Sequence, residues 1–98
     1  MTLSEFKSSL RVPVPPKGVN NFLHALWYEA NGKWDEAHNI VQGIETNDSS
    51  WIHAYLHRKE GDDSNALYWY NRAGRKFPKI NLEKEWEDIV SYFLDRSY

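Results

Sequence analysis

Six positions of this chain recur 29 residues further on, and that recurrence restricts the fold more than any other feature. His24 is matched by His53, Ala25 by Ala54, Gly32 by Gly61, Ala37 by Ala66, Val41 by Tyr70 and Ile44 by Ala73. Four pairs are identities, and the other two keep apolar character at core spacing. A register of this kind reads as one structural unit used twice and stacked side by side. The second copy, His53 to Gly74, shows what the unit is. Two apolar-periodic arms flank Glu60-Gly61-Asp62-Asp63, where glycine supplies the left-handed backbone that ends a helix and Asp62 or Asp63 can cap the next. The unit is a helical hairpin.

The remaining helices follow from caps and periodicity. Asn20 or Asn21 caps a first helix ending at Ala30, and Asn31-Gly32-Lys33 stops it. A second runs from Trp34 to about Ile44, with Ala37, Ile40, Val41 and Ile44 on one face. Residues 45–50 form a loop in which Asp48 or Ser49 caps a third helix through Glu60. A fourth runs from Asp63 to Lys76 with Ala66, Tyr70, Ala73 and Phe77 inward, and Pro78 closes it. Asn81 caps a fifth, Leu82 to Arg96, whose apolar stripe is Leu82, Trp86, Ile89, Val90, Phe93 and Leu94. Three aromatics stand in succession at Tyr68, Trp69 and Tyr70, so at least one must face the fifth helix, solvent or a partner. No alternating β-branched run is bounded by hairpin turns. The expected fold is all-α: hairpins 20–45 and 48–77 plus a capping helix 82–96, within one domain spanning 20–98.

Residues 1–19 read as an arm. Pro13, Pro15 and Pro16 remove amide donors and favour extended backbone, which suits a segment laid over an apolar face, or alternatively a polyproline ligand. Leu3, Phe6 and Leu10 permit one short amphipathic helix before it.

Composition narrows the function. A formal charge of -2 and a pI near 6.0 provide no basic field for nucleic acid. The absence of cysteine removes disulfides, thiolate catalysis and Cys-ligated zinc. No run of eighteen apolar residues exists, mean hydropathy is -0.75, and the N-terminus lacks a basic region followed by an apolar one. A soluble cytoplasmic protein is expected, with no membrane partner. The five glycines form no phosphate-binding loop, and no Gly-x-Ser-x-Gly occurs.

Ala25, Tyr28, Gly32, Trp34 and Ala37 in the first unit, and Ala54, Gly61, Ala66, Tyr70, Ala73 and Pro78 in the second, resemble the tetratricopeptide family over roughly residues 18–80. His24 and His53 stand where that family usually carries Leu, and Asp63 replaces the turn aromatic. The resemblance implies stacked hairpins, a solvating final helix, and a groove lined by the first helix of each hairpin. The matching positions are Phe22, Leu26, Glu29, Trp51, Tyr55, Arg58 and Lys59. Aromatics beside two cations suit a protein or peptide with an acidic group or a terminal carboxylate, and a two-hairpin groove is short enough to favour a homodimer. The leading expectation is therefore a non-catalytic interaction module without a cofactor.

The histidines supply the alternative. His53 and His57 are one helical turn apart, His24 is the repeat equivalent of His53, and His38 comes from the facing helix. Such a cluster could hold a divalent metal such as zinc, or serve acid–base chemistry with Glu29, Glu60 or Asp62 orienting an imidazole. Simple packing against tryptophan and tyrosine is the competing reading. The metalloprotease order His-Glu-x-x-His is absent, because Ala54-Tyr55-Leu56 separates the pair. No catalytic set is assigned.

Overall fold

The computed structural model describes residues 1–96, and among them every regular element is an α-helix. These are α1 (Leu3–Ser9), α2 (Asn21–Ala30), α3 (Trp34–Val41), α4 (Asn47–Lys59), α5 (Asp63–Ala73) and α6 (Leu82–Leu94). Among the described residues no helix is long and apolar enough to cross a membrane.

Local chemistry sets the boundaries. Asn20, Thr46, Asp62 and Asn81 each accept a backbone N–H of the first turn they precede. Thr46 replaces Asp48 or Ser49 as the cap of α4. This frees the Ser49 hydroxyl to donate to the Val41 carbonyl at 2.8 Å, where α3 has ended, three residues before Ile44. α5 stops at Ala73 instead of Lys76 because Gly74 turns left-handed at φ 72° and the Arg75 N–H reaches back to the Tyr70 carbonyl at 2.9 Å.

Two turns 29 residues apart share one backbone geometry. Gly32 and Gly61 have φ 78° and 89°, and the next residues, Lys33 and Asp62, donate to Tyr28 and His57 at 2.9 Å in both turns. α2 accordingly packs on α3 and, most extensively, α4 on α5. α3 and α4 join the two units.

α6 lies against α2 and α4. Phe93 stacks on Phe22 with centroids 4.7 Å apart, and the Trp86 indole N–H donates to the Leu26 carbonyl at 3.2 Å. Burying a side chain such as Phe93, Ile89 or Val90 contributes about 1.5–3 kcal/mol each. The stripe of α6 therefore fills the face that hairpin stacking would leave as a groove. A charged group goes down with it. Glu85, 2% exposed, accepts from the Tyr70 hydroxyl at 2.6 and 2.8 Å, the Trp51 indole at 3.2 Å and Arg58 Nη1 at 2.8 Å. One carboxylate thus ties α4, α5 and α6 together.

The N-terminal segment is not simply an arm. Thr2 and Glu5 form a reciprocal capping box on α1, which buries Phe6 within 5.9 Å of the Trp86 ring. Covering of the core is done by this helix. In the proline segment, which bends at residues 12–14, Val12 and Val14 face outward, 50% and 62% exposed, so this stretch is a connector.

Candidate metal centre

His53 and His57 sit one turn apart on α4, and their rings stack at 4.9 Å with 25° between planes. α3 presents His38 edge-on to both, at 4.6 Å from His53 and 5.5 Å from His57. The Nε2 atoms of His38 and His53 are 3.0 Å apart, and one ligand nitrogen from each of the three residues lies within 4.8 Å of the others. A tetrahedral ion with Zn–N bonds of about 2.0–2.1 Å needs nitrogens about 3.4 Å apart, so the rings would have to shift to centre one.

Two tryptophans hold the rings in place. Trp34 stacks on His38 at 4.8 Å and meets His57 edge-on at 5.6 Å, with its own N–H donating to the Leu56 carbonyl at 2.8 Å. Trp69 stacks on His53 at 3.8 Å, and the Arg72 guanidinium lies 5.1 Å above that indole. The Glu60 carboxylate is 2.5 Å from His57 Nδ1, where it can accept the ring N–H, and the Asn65 amide nitrogen lies 3.5 Å from both ring nitrogens.

The surroundings of His38 and His53 favour the neutral imidazole. Burial first, then the neighbouring His38 and His57 and the Arg72 charge, push His53 down to about 4. His38 is lowered as well, by burial and then by His57. Unprotonated rings at neutral pH are what a metal requires. Free of metal, the His38–His53 contact needs one ring to donate N–H and the other to accept.

His24 does not join them; its Nε2 donates to the Pro16 carbonyl at 3.2 Å and anchors the connector. Glu60 and Asp62 also come within 4.8 Å of His57, but both are exposed, and Asp62 is engaged in capping α5.

The expected groove positions are elsewhere occupied. Phe22, Leu26, Trp51 and Tyr55 are buried, three of them directly against α6. Arg58 is spent on Glu85 and on the Ile80 carbonyl, and Glu29 is buried in an ion pair with Lys59. The arrangement has a simple cause: the amphipathic α6 has to bury its stripe, and the α2–α4 face is where it does so. The sequence reading missed Trp34, Trp69 and Glu85. Trp34 was detectable, standing one turn before His38; Trp69 and Glu85 carry no local signal.

No protein-family model matches the chain, and neither the curated proteins nor the solved structures give a match. The functional reading therefore rests on geometry.

Proposed function

We propose that this protein is a small metal-binding helical domain in which His38, His53 and His57 hold one divalent ion, zinc foremost, as a staple between α3 and α4. The observation that carries it is the convergence of three imidazole nitrogens, from two helices, within 4.8 Å of one another. The lowered proton affinities of His53 and His38 and the Glu60 partner of His57 support it, since ligating histidines are neutral and oriented through their second nitrogen. Imidazole donors also suit copper and nickel, so the preference for zinc is one of geometry and availability, not of affinity. Burial of two of the ligands favours a structural ion over a hydrolytic one. We place the domain in the cytoplasm.

The test is metal analysis of protein purified without an affinity tag, with zinc titration and thermal melts with and without chelator. One zinc per chain, and a melting temperature lowered by chelation, is the expected result. No bound metal and an unmoved melt would sink the reading.

A partner-binding role is the second reading, now on different residues. Leu67 and Tyr68 of α5 are 46% and 53% exposed, with Arg72 5.9 Å from the Tyr68 ring. Self-association measured by sedimentation should weaken in Leu67→Glu; a protein that is monomeric at high concentration removes the homodimer.

A further inference from the structure

A cleft of about 390 Å³ opens where α1, α2, α4 and α6 meet, and it shares no lining residue with the histidine cluster. Its volume lies within the range of small-molecule sites. Leu10, Ala30, Leu82 and Trp86 supply apolar wall. Glu29 also lines it, 3% exposed. Its Oε1 accepts from Lys59 Nζ, whereas its buried Oε2 accepts no hydrogen bond of normal geometry, the Tyr55 hydroxyl that also lines the cleft interacting with the carboxylate only loosely. A buried carboxylate oxygen without a donor is costly, and it marks a place where a donor is wanted. The cleft carries three carboxylates, Glu29, Glu83 and Glu87, against two ammoniums, and Lys7 is already paired with Glu87 at 2.6 Å. The residual field is negative.

We propose that this cleft binds a small organic amine, its apolar body against Leu10, Leu82 and Trp86 and its ammonium donating to Glu29 Oε2. Charge and donor both belong to the ammonium; an alcohol offers only the donor and an organic acid neither. Lys59 is the pliant neighbour, its side chain 44% exposed and long enough to swing outward as the ligand enters. The site stands apart from the metal reading, so either can fail alone.

The experiment is titration of the full chain with phenethylamine, followed by ¹H–¹⁵N spectra at the Trp86 indole and the Ala30 amide, with phenylacetate as the anionic control of the same ring. Saturable shifts with the amine, and binding at least about tenfold weaker for phenylacetate, are expected. Glu29→Gln should weaken the amine by about tenfold, the loss of one charge-assisted hydrogen bond. Lys59→Met, a change at an exposed side chain, should strengthen it by removing the competing cation. No saturable shift with phenethylamine, an equal response to phenylacetate, or wild-type affinity in Glu29→Gln each overturns the proposal. Should Glu29→Gln fail to fold, Lys59→Met decides, and amine binding that is unchanged or weaker in that variant overturns it too.

Discussion

His38 and His53 approach nitrogen to nitrogen at 3.0 Å, a distance that only one shared proton or one shared metal ion can sustain between two imidazoles. Burial is the main reason both rings have lowered proton affinity, with the His57 charge adding to it for His38 and the His38 and His57 charges for His53. The two rings come from different helices. Whatever occupies the space between them fixes α3 against α4, and the side chains that hold them are Trp34 and Trp69.

Removing one ring should remove the ion. Zinc affinity measured by competition with a chromogenic chelator should collapse in His53→Ala and in His38→Ala, while His24→Ala binds zinc like the parent. The repeat makes His24 the counterpart of His53, so a loss of zinc in His24→Ala would mean that the ligand set drawn from the geometry is wrong.

Glu60 gives a finer test because it touches the ligand and not the ion. Its carboxylate pairs with His57 Nδ1, and the side chain is 40% exposed. Glu60→Gln should lower zinc affinity by about 10–100-fold, as loss of such outer partners does, yet leave the melt of metal-free protein nearly unchanged. A drop in metal-free stability with zinc affinity intact would assign Glu60 to helix capping.

The fold was more legible than the site, for physical reasons. Five helices announce themselves in capping residues, glycine turns and apolar stripes, all signals carried within a few residues. The destination of α6 is a long-range fact. Its stripe was plain in Trp86, Ile89, Val90 and Phe93, but nothing local states that it would fill the face holding Phe22, Leu26 and Trp51. The same holds for the site. The His53–His57 spacing is a local signal and was readable; that His38 would reach them while His24 would instead find Pro16 depends on how α3 crosses α4 and how the connector returns over α2. Glu85 stands in the first turn of α6, and its role with Tyr70, Trp51 and Arg58 exists only once three helices have met.

Acid should weaken the metal-free protein. His53 takes up its proton at about 4 when folded and near the ordinary histidine value when unfolded, so between those limits the unfolded chain holds more protons. Stability contributed by the neutral ring is complete above about pH 6.5 and declines as pH falls, amounting to about 3 kcal/mol by pH 4. His38 adds in the same direction. Burial raises Glu29, which acts in the opposite sense above 4.5 and blunts the low end. Urea midpoints measured from pH 7 down to pH 4 should fall, and the slope should flatten in His53→Gln; an identical slope in that variant would place the acid sensitivity elsewhere.

The Glu85 network should prove the most expensive polar feature to damage. Glu85→Ala leaves Arg58 without its carboxylate in a nearly enclosed position, and about 3–5 kcal/mol of stability should be lost. Tyr70→Phe removes one donor and leaves Arg58 and Trp51 in place, for about 1–3 kcal/mol. By contrast Lys84→Ala, which breaks the exposed pair with Asp88 at 2.9 Å, should leave stability essentially unchanged. Chemical denaturation of the three variants gives the ranking, and an equal cost for Lys84→Ala and Glu85→Ala would remove the argument for a buried anchor.

Two glycines separate backbone strain from steric room. An added methyl meets nothing within 4 Å at either Gly61 or Gly43, so space is not at issue. Gly61 has φ 89° in the turn that joins α4 to α5, a conformation that costs an L-residue about 1–2 kcal/mol, whereas Gly43 lies outside the left-handed region. Gly61→Ala should therefore destabilise by about that amount, and Gly43→Ala should be neutral or stabilising by up to about 1 kcal/mol through the unfolded chain. Because Gly61 follows Glu60, the same variant tests the coupling between turn and metal. If the turn holds Glu60 against His57, zinc affinity falls along with stability in Gly61→Ala and does neither in Gly43→Ala; stability loss with zinc affinity unchanged would show that the carboxylate finds its histidine without help from the turn.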